Sequence, residues 1–496
     1  MNKAFLASAL LLSSFAFSAV FADTLGDDWG TAAIEQDYYT ITTIPLPEEV
    51  KIEAGSFDLL PDGRLAVGTR RGQIWLVSGA FKEVPTPTYH LYADGLDQVF
   101  GLSWSPDEKA FYITQQTDVS RISDQNGDGR ADLFETLSDE WDFAAYHEFS
   151  FGSKRDKEGN IWVALGLTAS YRSENRFRGW GMKVTPDGKT IPVCSGMRSP
   201  GGVGENAEGV MFYVESQGPW NSCCSLKQMK QGAFVGHPAS YVWYPDAPNM
   251  GPTPVEPNTN SRMGIERKRI KQLVPPAVMF PYIKMGRSIS GFSVDRSGGK
   301  FGPFEGQMFV GDYSLGVVMR ATTEKINGVW QGACYPFREG FSTGLLANQF
   351  SPEGQLVVGG TSRGWPIRGT KSYSLERLDW TGKVPFEVKE INIRPEGYRI
   401  TFTQPVEKDV AEDPSAYNVV TYTYPYHQVY GGPEVDHEDR VVTKAKVTNG
   451  GLSVDVDLDL RQDYIHEFEL GAIRSKSGKE LVHTKAYYTV NEIPSE

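Results

Sequence analysis

A short pattern written six times constrains this chain more than anything else in its sequence. Each copy runs from a glycine or apolar residue through a brief apolar stretch and a polar turn into a second β-rich run. The copies are Gly55–Gly63 into Leu65–Gly68, Gly101–Asp107 into Ala110–Thr114, and Glu148–Gly152 into Asn160–Ala164. They continue with Gly202–Gly204 into Val210–Val214, Gly291–Val294 into Gln307–Gly311, and Asn348–Gly354 into Leu356–Gly359. Most intervals are about 46 to 57 residues, near the length of a four-stranded propeller blade; the fourth is longer and implies an insertion over about 220–285. A unit of this size cannot bury its apolar face alone, so the copies must stack on one another. The expected fold is all-β, a six-bladed β-propeller, with function at its central opening.

The two ends bound the rest. Lys3, the apolar run Phe5–Val20 and the small-residue site Val20-Phe21-Ala22 read as a signal peptide over 1–22. The mature chain is then exported, periplasmic or secreted, and begins near Asp23. No later stretch reaches the ~18 apolar residues that span a bilayer, so no membrane span is expected. The formal charge of −13 becomes one unit more acidic when Lys3 leaves, which argues against nucleic acid as a partner. Fifty-two glycines and 30 prolines suit a turn-rich β protein, and only Ser261–Gln272 reads as a short charged helix, inside the insertion. Residues 36–47 and 372–380 read as strands from opposite ends of the propeller that share one blade and leave no open edge. After Gly382 the pattern changes. Alternating runs at 388–393, 398–402, 417–424, 441–447, 452–458 and 464–470 indicate an Ig- or fibronectin-like sandwich over 383–496, leaving 23–382 to the propeller.

Several constellations could carry chemistry. Asp124, Asn126, Asp128, Asp132 and Glu135, with the Arg130 carbonyl and Gly129, fill the slots of a twelve-residue calcium loop. The loop falls between strands, so its expected role is structural. His147, followed by Glu148, stands immediately before the third repeat, where an innermost strand meets the opening, and a neutral imidazole there can act as a base. A packed, hydrogen-bonded histidine is the plain alternative. Arg198-Ser199 precedes the fourth repeat, and Glu215-Ser216-Gln217-Gly218-Pro219-Trp220 follows its second strand. Lys284, Arg287, Arg338, Arg363 and Arg368 could add positive charge around the opening, and arginine forks suit carboxylates. Cys194, Cys223, Cys224 and Cys334 allow three pairings, among them a bridge from Cys194 to either neighbour or a vicinal bridge. No Cys-x-x-Cys-His occurs, which excludes covalent c-type haem. His427, His437, His466 and His483 lack ligand spacing and read as core or surface residues.

His147 with Phe149-Ser-Phe-Gly152 and Gly159-Asn-Ile-Trp-Val163, Arg198-Ser199-Pro-Gly-Gly202, Glu215–Pro219 with Gly236-His-Pro238, and Ser288–Gly291 with Met308–Asp312 together resemble the glucose/sorbosone dehydrogenase family. These are six-bladed quinoprotein propellers, and the likeness spans roughly 50 to 380. It implies His147 as catalytic base and the Arg198-Ser199 segment, through its arginine, at the carboxylates of pyrroloquinoline quinone, where Arg363 and Arg368 are further cofactor-binding candidates from their charge. It also implies that the carbonyls of Gly218 and Pro219 hold a calcium ion. Ser199 replaces the family's asparagine, Trp220–Ser225 lacks its acidic cluster, and Tyr146 stands where aspartate often precedes the histidine. Asn126–Asp132, Tyr146–Phe149, Gln331–Gly340, Arg363–Gly369 and Tyr430–Asp436 are similar to exported bacterial propeller proteins classed as membrane-bound dehydrogenases, over nearly the whole mature chain. The implied activity is oxidation of a sugar or alcohol hydroxyl, with electrons passing to a separate c-type cytochrome or other acceptor. The residues also allow a cofactor-free lyase or hydrolase acting on an acidic glycan, or a non-catalytic glycan-binding propeller.

Overall fold

The computed structural model describes residues 25–144 and 147–495; the expected leader and Tyr146 lie outside them. The described residues are nearly all β. Five consecutive groups of four strands form antiparallel meanders, and a sixth is completed from the N-terminus. Group one is Ala54–Leu59, Leu65–Thr69, Ile74–Ser78 and Thr88–Ala93; group two is Gly101–Ser105, Ala110–Thr114, Val119–Ser123 and Leu133–Ser138. Group three is Ser150–Arg155, Ile161–Leu165, Trp180–Val184 and Thr190–Ser195; group four is Pro200–Glu205, Met211–Glu215, Cys224–Gln228 and Val278–Phe280. Group five is Ile289–Val294, Met308–Asp312, Val317–Ile326 and Val329–Arg338; group six is Leu345–Phe350, Gln355–Thr361, Tyr373–Trp380 and Tyr39–Thr43. Every repeat read from the sequence supplies the first two strands of one group.

The first strands of the six groups adjoin in chain order, and the sixth adjoins the first, so they close a ring. Glycine permits the approach. A Cβ on Gly101 would lie 2.4 Å from the Gly152 carbonyl carbon, and one on Gly201 2.2 Å from the Ile289 oxygen. Closure comes from the expected partnership of the two ends, Tyr39 opposite Trp380 through Thr43 opposite Glu376. The excursion in group four leaves after Gln228 and returns at Val278; it contains a 3₁₀ segment, Pro238–Asp246, and the short helix Met263–Arg269.

Two further sheets follow. Val388–Arg394, Gly397–Phe402, Ser453–Asp457 and Lys444–Thr448 form one, and Lys485–Thr489, Ile465–Glu469, Asn418–Thr423 and Val435–Arg440 the other. A buried apolar cluster that includes Ile391, Tyr398, Ile400, Val419, Val454, Phe468 and Tyr488 joins them. The terminal unit does not hang from a linker. Lys485–Thr489, a strand the sequence pattern missed, pairs with the outer strand of group five, Gly332 opposite Thr489 and Cys334 opposite Tyr487. Tyr422, Tyr424, Ile465 and Tyr487 pack into the same core as Phe212, Met285 and Val317 of groups four and five.

All four cysteines are buried free thiols, so none of the expected bridges is present. Cys223 and Cys224 are consecutive at the start of a strand, where successive side chains point to opposite faces. Cys194 lies on the outer strand of group three. Among the described residues no helix is long and apolar enough to cross a membrane.

Candidate functional site at one mouth of the ring

In each group the start of the first strand pairs with the end of the second: Ala54 with Thr69, Ser150 with Leu165, Pro200 with Glu215, and Leu345 with Gly360. Residues just before a first strand and just after a second strand therefore gather at one mouth. That rule collects His147, Arg198 and Gln217, and also Glu53, Arg70 and Tyr313. Arg363 and Trp365 join them from the loop after Gln355–Thr361.

His147 is partly buried, with φ of +70°, a region few side chains adopt and one found often at functional sites. Its ring stacks on the Trp365 indole at 5.6 Å and 27°. Burial, then the positive charges of Arg198 and Arg70, push its pKa down to about 4, so the imidazole is neutral at physiological pH. Glu148 faces away. Its fully buried carboxylate accepts from the Thr168 hydroxyl, from Asn175 Nδ2 at 2.6 Å and from the Ala144 amide at 2.9 Å. Arg178, buried beneath, donates to the carbonyls of Gln116, Asp142 and Glu148, each at 2.7 Å. Glu148 and Arg178 thus hold the loop that carries His147.

Arg198 is positioned from below. Glu215 Oε1 accepts the Arg198 and Ser199 amides, and its Oε2 receives Lys227 Nζ at 2.5 Å, with both side chains of that ion pair out of solvent. The same device recurs in group five, where Asp312 Oδ2 accepts the Arg287 and Ser288 amides at 2.7 and 2.8 Å. The Arg198 guanidinium lies against Gly218, where a Cβ would come within 2.2 Å of Nε. It donates from Nη1 to the Gln217 carbonyl at 2.5 Å, while its buried Nε has no partner among the described residues.

The other candidates are placed as follows. Arg363 and Arg71 both pair with Glu53, the latter at 2.9 Å. Arg368 Nη2 donates to the carbonyls of Leu25, Gly26 and Asp27, which fastens the N-terminal segment. Arg338 pairs with buried Glu35 at 3.0 Å, and Lys284 with Glu434 and Glu467 at 2.9 and 2.8 Å. Gly218 and Asn221 close a tight turn, the Gly218 carbonyl accepting the Asn221 amide at 3.2 Å; Pro219 lies inside it. Arg70 is not among the sequence candidates, and Trp365 and Tyr430 appear there only inside the motifs Arg363–Gly369 and Tyr430–Asp436, with no place at the site. Arg70 and Trp365 follow strand ends and could have been found from the repeat register. Tyr430 could not, because it reaches the mouth from the terminal unit, its ring 4.9 Å from the Arg198 guanidinium carbon.

The acidic loop of group two joins its third and fourth strands. Asp124 accepts the amides of Gly127 and Gly129 at 2.7 and 2.8 Å, Asn126 that of Asp128 and Asp128 that of Arg130, both at 2.9 Å. Asp132 accepts from the Gln125 amide at 2.8 Å, and Glu135 pairs with Arg121 at 2.9 Å. Among the described residues no group of three or more His, Cys, Asp or Glu side chains is gathered to hold a metal ion. A cavity of about 530 Å³, lined by Asp58, Arg155, Glu205 and Arg296 among others, opens at the opposite mouth, where the first strands end.

No family model and no curated protein matches the sequence. Among solved structures, the chain is similar to an oxidoreductase (glucose dehydrogenase) of Thermus thermophilus, at 18% identity over 68% of this chain and 99% of that one, with a TM-score of 0.49. It is also similar to the PQQ-bound aldose sugar dehydrogenase of Streptomyces coelicolor, at 14% identity over 69% of this chain and 98% of that one, with a TM-score of 0.47. The apo-form soluble aldose sugar dehydrogenase of Escherichia coli matches at 14% identity over 69% of this chain and 99% of that one, with a TM-score of 0.47.

Proposed function

We propose that this chain is an exported, quinoprotein-like dehydrogenase that oxidises a sugar or alcohol hydroxyl at the ring mouth carrying His147. In this reading residues 1–22 are removed on export, 23–382 form a six-bladed propeller, and 383–496 form an Ig- or fibronectin-like sandwich. The closed ring of six first strands supports the propeller, and the apolar core between two facing sheets supports the sandwich. One observation carries the activity: a half-buried imidazole at the ring mouth, stacked on Trp365 and flanked by the Arg198 and Arg70 guanidinium groups, whose charges and burial favour its neutral form. A neutral histidine can take the hydroxyl proton, and the arginines favour an anionic group next to it.

The residues fit the anionic part of pyrroloquinoline quinone. Arg198 has a donor without a partner among the described residues, Arg70 adds charge, and Trp365 offers a planar face. When bound, such a quinone supplies two-electron acceptance, with the electrons leaving to a separate cytochrome or other carrier. The chain's own part is to hold the quinone carboxylates through Arg198 and to accept the substrate proton at His147, on a loop that Glu148 and Arg178 brace. For a calcium ion the Gly218 and Pro219 carbonyls would have to serve without the nearby carboxylate, since the Gly218 carbonyl also accepts the Asn221 amide and Glu215 is committed to Lys227. That favours, as a second reading, a cofactor-free lyase or hydrolase whose arginines hold a uronate. A structural calcium in the Asp124–Glu135 loop is proposed independently of either reading.

Purified protein titrated with pyrroloquinoline quinone should develop bound-cofactor absorbance and dye-linked oxidation of aldoses, both lost in Arg198→Ala at low quinone. Absence of binding at high quinone concentration would leave the cofactor-free reading in its place.

A further inference from the structure

We propose that the terminal unit completes the site, with Tyr430 as the face on which the ring of a carbohydrate substrate packs. The proposal rests on the reading of the mouth as a sugar-active site and names a residue outside the ring that positions the sugar.

The loop carrying Tyr430 is built onto the mouth at several points. The Trp220 amide donates to the His427 carbonyl at 2.7 Å, Ser222 donates to the Pro425 carbonyl, and Tyr426 donates to the Gly236 carbonyl. His427 Nε2 donates to the Gly431 carbonyl at 2.6 Å, which fixes the turn that presents residue 430. Gly431 at φ of +65° sits against Gln217, where a Cβ would come within 2.7 Å of the amide oxygen. Arg262 grips Asp436 at 2.7 Å in the strand that follows this loop. Thus the segments that flank Arg198 and the excursion of group four both hold this loop in place.

Tyr430 nevertheless remains 49% exposed, although its ring covers the Arg198 guanidinium. A tyrosine held rigidly, half open, over a buried cation has a free apolar face and a polar edge at the entrance. Carbohydrate rings use such surfaces, packing their axial C–H face on an aromatic ring while hydroxyls or a carboxylate reach charged donors. Trp365, 40% exposed and stacked on His147, offers a second aromatic surface at the same mouth. The substrate class that fits is a pyranose, neutral or carrying a carboxylate, and not a small acyclic alcohol.

The test uses the whole chain with glucose and glucuronate as probes, binding followed by saturation-transfer NMR and by KM where turnover is found. Tyr430→Ala should weaken binding of the preferred probe on the order of tenfold and raise KM in proportion with kcat little changed. Tyr430→Phe should keep wild-type affinity, and both variants should melt with the wild type. Unchanged affinity in Tyr430→Ala, or failure of the wild type to bind either sugar, overturns the proposal. The two readings fail separately. Tyr430-dependent sugar binding without quinone-linked oxidation removes the dehydrogenase and leaves the stacking face. Oxidation with unaltered KM in Tyr430→Ala does the reverse.

Discussion

Replacing His483 with glutamine would test how the terminal unit is locked to the ring. His483 is buried between two carboxylates, with Nδ1 2.6 Å from Glu387 Oε1 and Nε2 2.8 Å from Glu35 Oε1. Arg338 of group five pairs with Glu35 at 3.0 Å, and Glu339 accepts the Trp29 and Thr31 amides, both at 2.7 Å. The N-terminal segment, the ring and the terminal unit thus meet at one charged cluster. Burial works against a charged imidazole, but Glu387 and Glu35 outweigh it and raise the pKa from 6.5 to about 9. A rise of that size corresponds to about 3 kcal/mol of stabilisation by linkage. Because the folded value lies above the unfolded one, the contribution is complete below pH 6.5, declines as pH rises, and is gone above about 9. On the acid side the Glu35 pKa is lowered: burial opposes its charge, while His483 and the Thr31 and Glu339 hydrogen bonds prevail. Its contribution is therefore lost as pH falls through that lowered value. Thermal melting of wild type and His483→Gln between about pH 6 and 10 should show the wild type losing several degrees more than the variant. Glutamine can still hydrogen-bond but cannot titrate, so parallel melting curves across that range would refute the argument.

Other outcomes follow from the site and its supports. His147→Ala should lose on the order of a hundredfold or more in turnover with an unchanged melting temperature. In wild type the acid limb of kcat/KM should fall near pH 4, because the base works deprotonated, and Arg198→Ala should move that limb upward by removing a neighbouring positive charge. Lys227→Met strands the buried Glu215 carboxylate and should cost about 3–5 kcal/mol by chemical denaturation, with loss of the Arg198 site. If calcium occupies the Asp124–Glu135 loop, it should raise stability by about 2.7 kcal/mol at a hundredfold excess over its Kd. Asp128→Ala should abolish that shift, and identical melting of wild type with and without chelator would show the loop to be a plain turn.

The sequence by itself determined the strand groups, because period, turn residues and alternation are local properties that each repeat displays. It also determined the pairing of Tyr39–Thr43 with the last repeat, since a ring with one strand missing requires an end to fill it. It placed His147 and Arg198 near one mouth through their position in the repeat, a matter of counting along the chain. What each charged side chain does was decided by tertiary structure alone. Arg338, Arg363 and Arg368 looked equivalent to Arg198 in the sequence, yet each is taken by a partner more than 300 residues away. Nothing in a local pattern separates an arginine that will meet a buried glutamate from one that will not. Tyr430 and Lys485–Thr489 were hidden for the same reason, their roles arising from where the terminal unit docks. The thiols stay free although Cys223, Cys224 and Cys334 share one buried core, so spacing along the chain does not encode whether they pair.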